Sequence, residues 1–259
     1  MAASAESGGG EGVLSRVVRI LQQFGPDTPV LRVSEVARRT ELHLATASRL
    51  VEEMVRLGLL ARDADRRVRI GLRLWELASR TPPTLGLREA AMPYLEDLHA
   101  VSGHHAQLAV LDDGEALFVE RLSAPGAVVN ITTIAGRLPL HASSSGLVLL
   151  AHAPAELQER ILAGPLKRYT GHTPGSPAAL RSMLAEIRRA GFVSCPGFID
   201  AHATGIAAPI RDAGGRVVAS LGVVIPNDDE ARSQIPAVRA AARGVTRALS
   251  DGGHGKASR

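Results

Sequence analysis

Between Ser34 and Gly58 apolar residues recur at a period that two short amphipathic helices joined by a tight turn satisfy. In the second, Ala47, Leu50, Val51, Met54 and Leu57 fall at i, i+3, i+4, i+7 and i+10 and predict one buried stripe. Ala45, Thr46, Ser48 and Arg49 lie off that stripe near the helix start. They are short or hydrogen-bonding groups suited to a major-groove surface, and Arg49 is the leading candidate for a guanine or phosphate contact. Farther along, the exposed positions are Glu52 and Glu53, which repel phosphates, so only the N-terminal half is expected to enter a groove. The pattern is that of a helix-turn-helix, although an amphipathic helix pair in any small domain meets the spacing too.

The segment beyond Gly58 favours the DNA-reading interpretation. From Leu59 to Gly71 two short apolar-bearing segments flank an Asp-rich turn, which predicts a hairpin with Arg66, Arg67 and Arg69 on its returning arm. Such a hairpin is the wing of a winged helix. Arg66 and Arg67 are expected at its tip, within reach of a phosphate or the minor groove; a solvated charged turn is the alternative. Residues 11–80 hold 13 Arg against 9 acidic residues, whereas residues 81–259 are nearly balanced, 17 basic against 16 acidic. The positive excess therefore sits with the reader, where it supplies the salt-dependent part of DNA binding.

At 259 residues the chain is long enough for two domains, and no segment approaches the roughly 18 apolar residues that span a membrane. Residues 1–10, small and Gly-rich, are expected to be a floppy tail and not a signal peptide. The single Cys195 permits no internal disulfide and points to a reducing cytoplasm. The nine histidines show no His-x-x-x-His pairing with a carboxylate, so no metal is expected. Cys195 lies beside Pro196 and Gly197, a turn and not an activating helix start, so no catalytic residue and no cofactor are expected either.

The stretch around Pro82 and Pro83 is a candidate boundary, dividing an 11–80 reader from an 81–102 linker with a helix over Leu87–Leu98 that Pro93 should kink or restart. Beyond it, strands are expected at His105–Leu111 and Glu115–Leu122 around Asp112-Asp113-Gly114, then an extended Val128–Thr133. Helices are expected at Ser145–Ala151, Ala155–Leu162 and Ala178–Ala190, strands at Ile206–Arg211 and Val217–Ile225, and a last helix over about 229–249, with 251–259 a tail. The sum for 103–250 is an α+β domain, helices packed on a sheet.

Several of these segments, in this order, resemble the IclR family of bacterial transcriptional regulators over about residues 13–250. The markers are Arg16-Val-Val-Arg-Ile-Leu21, the reader and wing, the run Gly136-Arg-Leu-Pro-Leu-His-Ala-Ser-Ser-Ser-Gly-Leu-Val-Leu-Leu-Ala151, and Gly205-Ile-Ala-Ala-Pro-Ile210 with the closing hairpin. The run from Gly136 looks like the family's Gly-x-x-x-Pro-Leu-His-x-Thr-Ala-x-Gly-Lys-Ala-x-Leu-Ala. The resemblance implies an N-terminal winged helix-turn-helix, a linker helix and a C-terminal GAF/PAS-like sensor domain with an antiparallel sheet. It also implies a homodimer or homotetramer that reads a double-stranded DNA operator, palindromic for a dimer, under control of a small-molecule effector. The chain departs from the family at the reader turn, where the usual glycine is Glu41, with a positive φ or a reshaped turn as the expected consequence, and at Leu44, a common polar or basic position.

In members that bind small oxoacids, the resemblance places the effector at Ser144 and Ser145, Cys195, Gly205, Gly222 and Val224. Only the two serines are polar and suited to a carboxylate, at a helix start where N–H groups and the dipole favour an anion. The rest are small or apolar, which implies a roomier, greasier cavity and an effector larger than a three-carbon acid, such as an aromatic with one acidic or carbonyl end; a cavity without a physiological ligand is the rival. Phe198 either lines that cavity or caps its mouth. A ligand-responsive transcription factor is the leading expectation, and a sensor whose DNA module has become a protein-interaction domain is the alternative.

Overall fold

The structure, a computed structural model, describes residues 11–25, 27–80, 84–128 and 130–254. The tail expected over 1–10, the boundary prolines Pro82 and Pro83, and 255–259 of the C-terminal tail lie outside the described residues. The chain forms two compact units that divide between Pro83 and Thr84.

In the first unit, helices α1 (Val13–Leu21), α2 (Val33–Arg39) and α3 (Leu44–Arg56) precede a two-stranded hairpin, β1 (Leu60–Arg62) with β2 (Val68–Ile70), and helix α4 (Leu72–Arg80). The hairpin is antiparallel, and Leu31 exchanges backbone hydrogen bonds with Val68 at 2.9 and 2.7 Å, tying the chain before α2 to the wing. Ala47, Leu50, Val51 and Met54 are buried as their spacing predicts, in a core that also takes in Ile20, Val36, Leu60 and Val68. Leu57 departs from the expectation: it caps α3 at the point where Gly58 turns the chain left-handed, and it is 50% exposed.

The turn between α2 and α3 is a full helix-ending motif. The Leu42 N–H donates to the Ala37 carbonyl at 3.0 Å and the Glu41 N–H to that of Arg38 at 3.4 Å, which requires a left-handed residue between them. Glu41 fills that place with φ 54°, so the expected positive φ is present without the glycine that accommodates it freely.

The second unit opens with α5 (Leu85–Ser102). Pro93 neither ends nor restarts this helix, because Ala91, Leu95 and Leu98 on its inner face are fully packed and hold the turn despite the lost N–H. The sheet has six antiparallel strands: β3 (His105–Asp112), β4 (Glu115–Leu122), β5 (Arg137–Pro139), β6 (Val193–Pro196), β7 (Ala203–Arg211) and β8 (Val217–Pro226), in the order β5-β4-β3-β8-β7-β6. The expected strand over Val128–Thr133 is absent. Its described residues run unpaired beside the sheet, while β5 and β6, which the sequence pattern did not indicate, occupy its two edges.

Alternation along the strands decides which helices cover which face. Ala106, Leu108, Ile206, Leu221 and Val223 pack with α5 and with α9 (Ile235–His254), which continues past the expected end near 249. Ala109, Phe118, Cys195 and Ala207 turn the other way, toward α6 (Ser144–Ala151), α7 (Ala155–Ala163) and α8 (Pro177–Ala190). All eight residues of α6 are buried.

Candidate functional site

On the first unit, the start of α3 is the exposed face. Ala45 and Arg49 are exposed and Thr46 and Ser48 half-buried, so the four predicted reader positions share one surface. Leu44, in the same first turn, is 58% exposed and adds an apolar group suited to a thymine methyl, a contact the sequence pattern did not indicate. The acidic end of the helix is neutralised: Glu52 pairs with Arg62 of the wing and Glu53 with Arg56.

The two wing arginines differ. The side chain of Arg67 is held by Asp63 at 2.8 Å and Asp65 at 3.2 Å, and its N–H donates to Asp63 at 2.9 Å, so it closes the turn and is not free at the tip as expected. Arg66, at φ 60°, is exposed and has no ion-pair partner among the described residues.

On the second unit, a cavity lies between the sheet and the start of α6. Four of the six positions expected there do line it: Ser144, Cys195, Gly205 and Val224. Their strands set them side by side, since Gly205 pairs with both Cys195 and Val224. A Cβ on Gly205 would come within 2.7 Å of Ser144 Oγ, so the glycine is what lets the helix start descend onto β7.

Ser145 and Gly222 are outside the lining. Ser145 is fully buried in the packing around α6, and Gly222 sits where a Cβ would overlap the Ile206 carbonyl oxygen, so no side chain there projects into the cavity. The helix cap is Ser143, one residue earlier than expected; its Oγ accepts from the Gly146 N–H at 3.1 Å. The N–H groups of Ser144 and Ser145 have no acceptor among the described residues, and of the two residues Ser144 lines the cavity.

The opposite wall was not expected from the sequence. Gln107, Asn130, Ile131, Thr132 and Leu138 line it, and Gln107 (2% exposed) and Thr132 (3%) are buried there. A lone polar residue inside the apolar strand from His105 to Leu111 was the available signal. The unpaired segment carrying Asn130 and Thr132 is held by side chains: Arg121 donates to the Thr132 carbonyl and His105 Nε2 to that of Val128 at 2.7 Å. Burial, helped by the nearby Arg121, pushes the His105 pKa down, so the ring is neutral.

Phe198 and Ile199, with Asp200, line the cavity from the loop after β6. Thr170 Oγ1 donates to the Gly197 carbonyl at 2.6 Å and Thr173 Oγ1 to that of Phe198, which hold this loop down. Burial pushes the Cys195 thiol far above its ordinary range, so it stays protonated and contributes a small apolar surface.

Comparison with known proteins gives consistent results. The description "Bacterial transcriptional regulator IclR C-terminal" matches residues 82–251, and "IclR helix-turn-helix domain" matches 13–64. A solved IclR homolog from Microbacterium hydrocarbonoxydans, complexed with 4-hydroxybenzoate, is 47% identical with a TM-score of 0.89, covering 93% of this chain and all of that one. A transcriptional regulator from Rhodococcus sp. RHA1 is 28% identical at TM-score 0.79, over 92% and 98% of the two chains. The HTH-type transcriptional regulator BhcR of Paracoccus denitrificans is 29% identical over 96% of this chain and 89% of its own length.

Proposed function

The chain belongs to the IclR family of bacterial transcriptional regulators, and from that premise we propose that its effector is a hydroxylated aromatic acid. The carrying observation is the cavity's combination of apolar walls with the unpaired Ser144 N–H at the start of α6. A carboxylate seated there meets the Ser144 N–H and the positive end of the helix dipole, while the ring lies against Leu138, Val224, Phe198 and Cys195. The 4-hydroxybenzoate in the Microbacterium homolog supports the same class.

In the DNA-binding unit, Ala45, Thr46, Ser48 and Arg49 face the bases and Arg66 reaches the backbone beside them. The protein works in the cytoplasm as a homodimer or homotetramer on a palindromic operator. Exposed apolar residues of α1 (Leu14, 80%) and α4 (Leu72, 75%; Trp75, 68%) support self-association.

Selection of bound genomic duplexes at about 150 mM salt, where purely electrostatic binding is weak, tests the reading. A recovered palindrome whose affinity changes on adding 4-hydroxybenzoate, and whose selectivity is lost in Arg49→Ala, is the expected result. Recovery of no preferred sequence refutes the operator and favours a reader converted to protein interaction.

A further inference from the structure

The cavity's second polar end is not accounted for by an acid group at α6. Gln107 Oε1 accepts from Asn130 Nδ2 at 3.4 Å and lies 3.1 Å from Thr132 Oγ1, whose single proton is shared with Asn130 Oδ1 at 2.7 Å. The Asn130 contact sets the orientation of the amide, since a flipped Gln107 would turn one NH₂ group against another. Gln107 Nε2 then has no partner among the described residues, although the residue is almost wholly buried and lines the cavity. An arrangement that anchors only the oxygen leaves both N–H donors of the amide for whatever enters the cavity.

Strand register gives the span. Gln107 lies on β3, while Gly205, beneath Ser144, lies two strands away on β7 and pairs through Val224 with His105. Two strand spacings across and two residues along separate Gln107 and Gly205 by about 12 Å between Cα atoms, and the Gln107 side chain and Ser144 above Gly205 shorten that gap from either end. That suits a six-membered ring bearing polar groups at opposite corners.

We infer that Gln107, oriented by Thr132 and Asn130, is the specificity-determining residue for the effector, donating to a hydrogen-bond-accepting oxygen para to the acid group. The assignment rests on the reading of this cavity as an aromatic-acid site. It selects a phenol oxygen over hydrogen and over an aromatic amine, whose nitrogen lone pair is delocalised into the ring and accepts poorly. With benzoate, Gln107 stays unpaired.

Calorimetric titration of the full-length protein with 4-hydroxybenzoate, benzoate and 4-aminobenzoate tests the assignment. In the wild type, 4-hydroxybenzoate binds roughly 10- to 100-fold more tightly than either of the others, the factor an unsatisfied buried donor implies. Gln107→Leu, close in volume and without donors, brings the three affinities together. Thr132→Val, which removes the hydroxyl that contacts both the Asn130 and the Gln107 amides, narrows the preference while leaving Gln107 in place, and serves if the leucine variant melts early. An unchanged preference in a folded Gln107→Leu overturns the assignment. Failure of all three acids to bind the wild type overturns the aromatic-acid reading, and the assignment with it.

Discussion

Gly222 separates what family position suggests from what this sheet permits. The family resemblance counts Gly222 among the effector positions, so Gly222→Ser looks like a route to a smaller, more polar effector. Here an ideal Cβ would overlap the Ile206 carbonyl oxygen and stand 3.1 Å from Ala207 Cβ and 3.2 Å from its Cα. Two of these atoms are backbone in a paired strand, so β7 and β8 must part at the Gly222–Ala207 pair, in the middle of the sheet. Overpacking of this kind costs about 1–3 kcal/mol, and backbone neighbours put Gly222→Ser toward the upper end. For a unit of this size each kcal/mol lowers the melting temperature by about 2–4 °C, so a fall of roughly 4–12 °C is expected by calorimetry of the full chain. Gly222→Ala should fall as far, because the clash is with Cβ and not with the hydroxyl. Wild-type melting in either variant, or glyoxylate binding gained by the serine, would refute the reasoning.

Glu41→Gly should stabilise the reader: a left-handed L-residue costs about 1–2 kcal/mol, and glycine returns about 0.5–1 of that as unfolded-state entropy. Hydrogen exchange of peptides covering α3 should slow roughly two- to fivefold; unchanged or faster exchange contradicts the strain at φ 54°. Arg66→Ala should weaken operator binding and flatten its salt dependence more than Arg67→Ala, whose guanidinium is already taken by Asp63 and Asp65; equal losses would count against that division. Cys195 should resist thiol reagents in the native protein and react on unfolding. Because its folded pKa is raised, its contribution to stability is complete below about pH 8.5 and declines as pH rises past that unfolded value. Rapid native labelling at pH 8 would show the thiol to be open.

Elements whose periodicity reflects burial were legible from the sequence. The α3 stripe from Ala47 to Met54, the β3–β4 hairpin about Asp112-Asp113-Gly114 and the β8 strand follow from residue spacing alone. Leu57 fits the same stripe but lies past the last helical turn, and spacing does not register where a helix stops. Val128–Thr133 has the β-branched content of a strand, but strand propensity measures fit to a neighbour, and here side chains of Arg121, His105 and Gln107 take the place of a paired strand. Site positions divide in the same way. Ser144 and Cys195, positions the family resemblance supplied, line the cavity, whereas Ser145 and Gly222, supplied the same way, lie outside its lining for reasons of packing that are only visible between elements.

The α6 helix explains why core and cavity come as one construction. A helix buried on all sides needs neighbours without bulk, and Gly146 meets this where an added Cβ would stand 2.7 Å from Leu140 Cα, as Gly205 does beneath Ser144. The N–H groups of Ser144 and Ser145, which no helix can satisfy internally, are left without an acceptor there, and Ser144 lines the cavity. Removing that penalty calls for an acceptor at one end, and the surrounding Val224, Phe198 and Cys195 call for an apolar body behind it. If the effector is an aromatic acid, the helix that completes the hydrophobic core is also what makes that acid fit better than water.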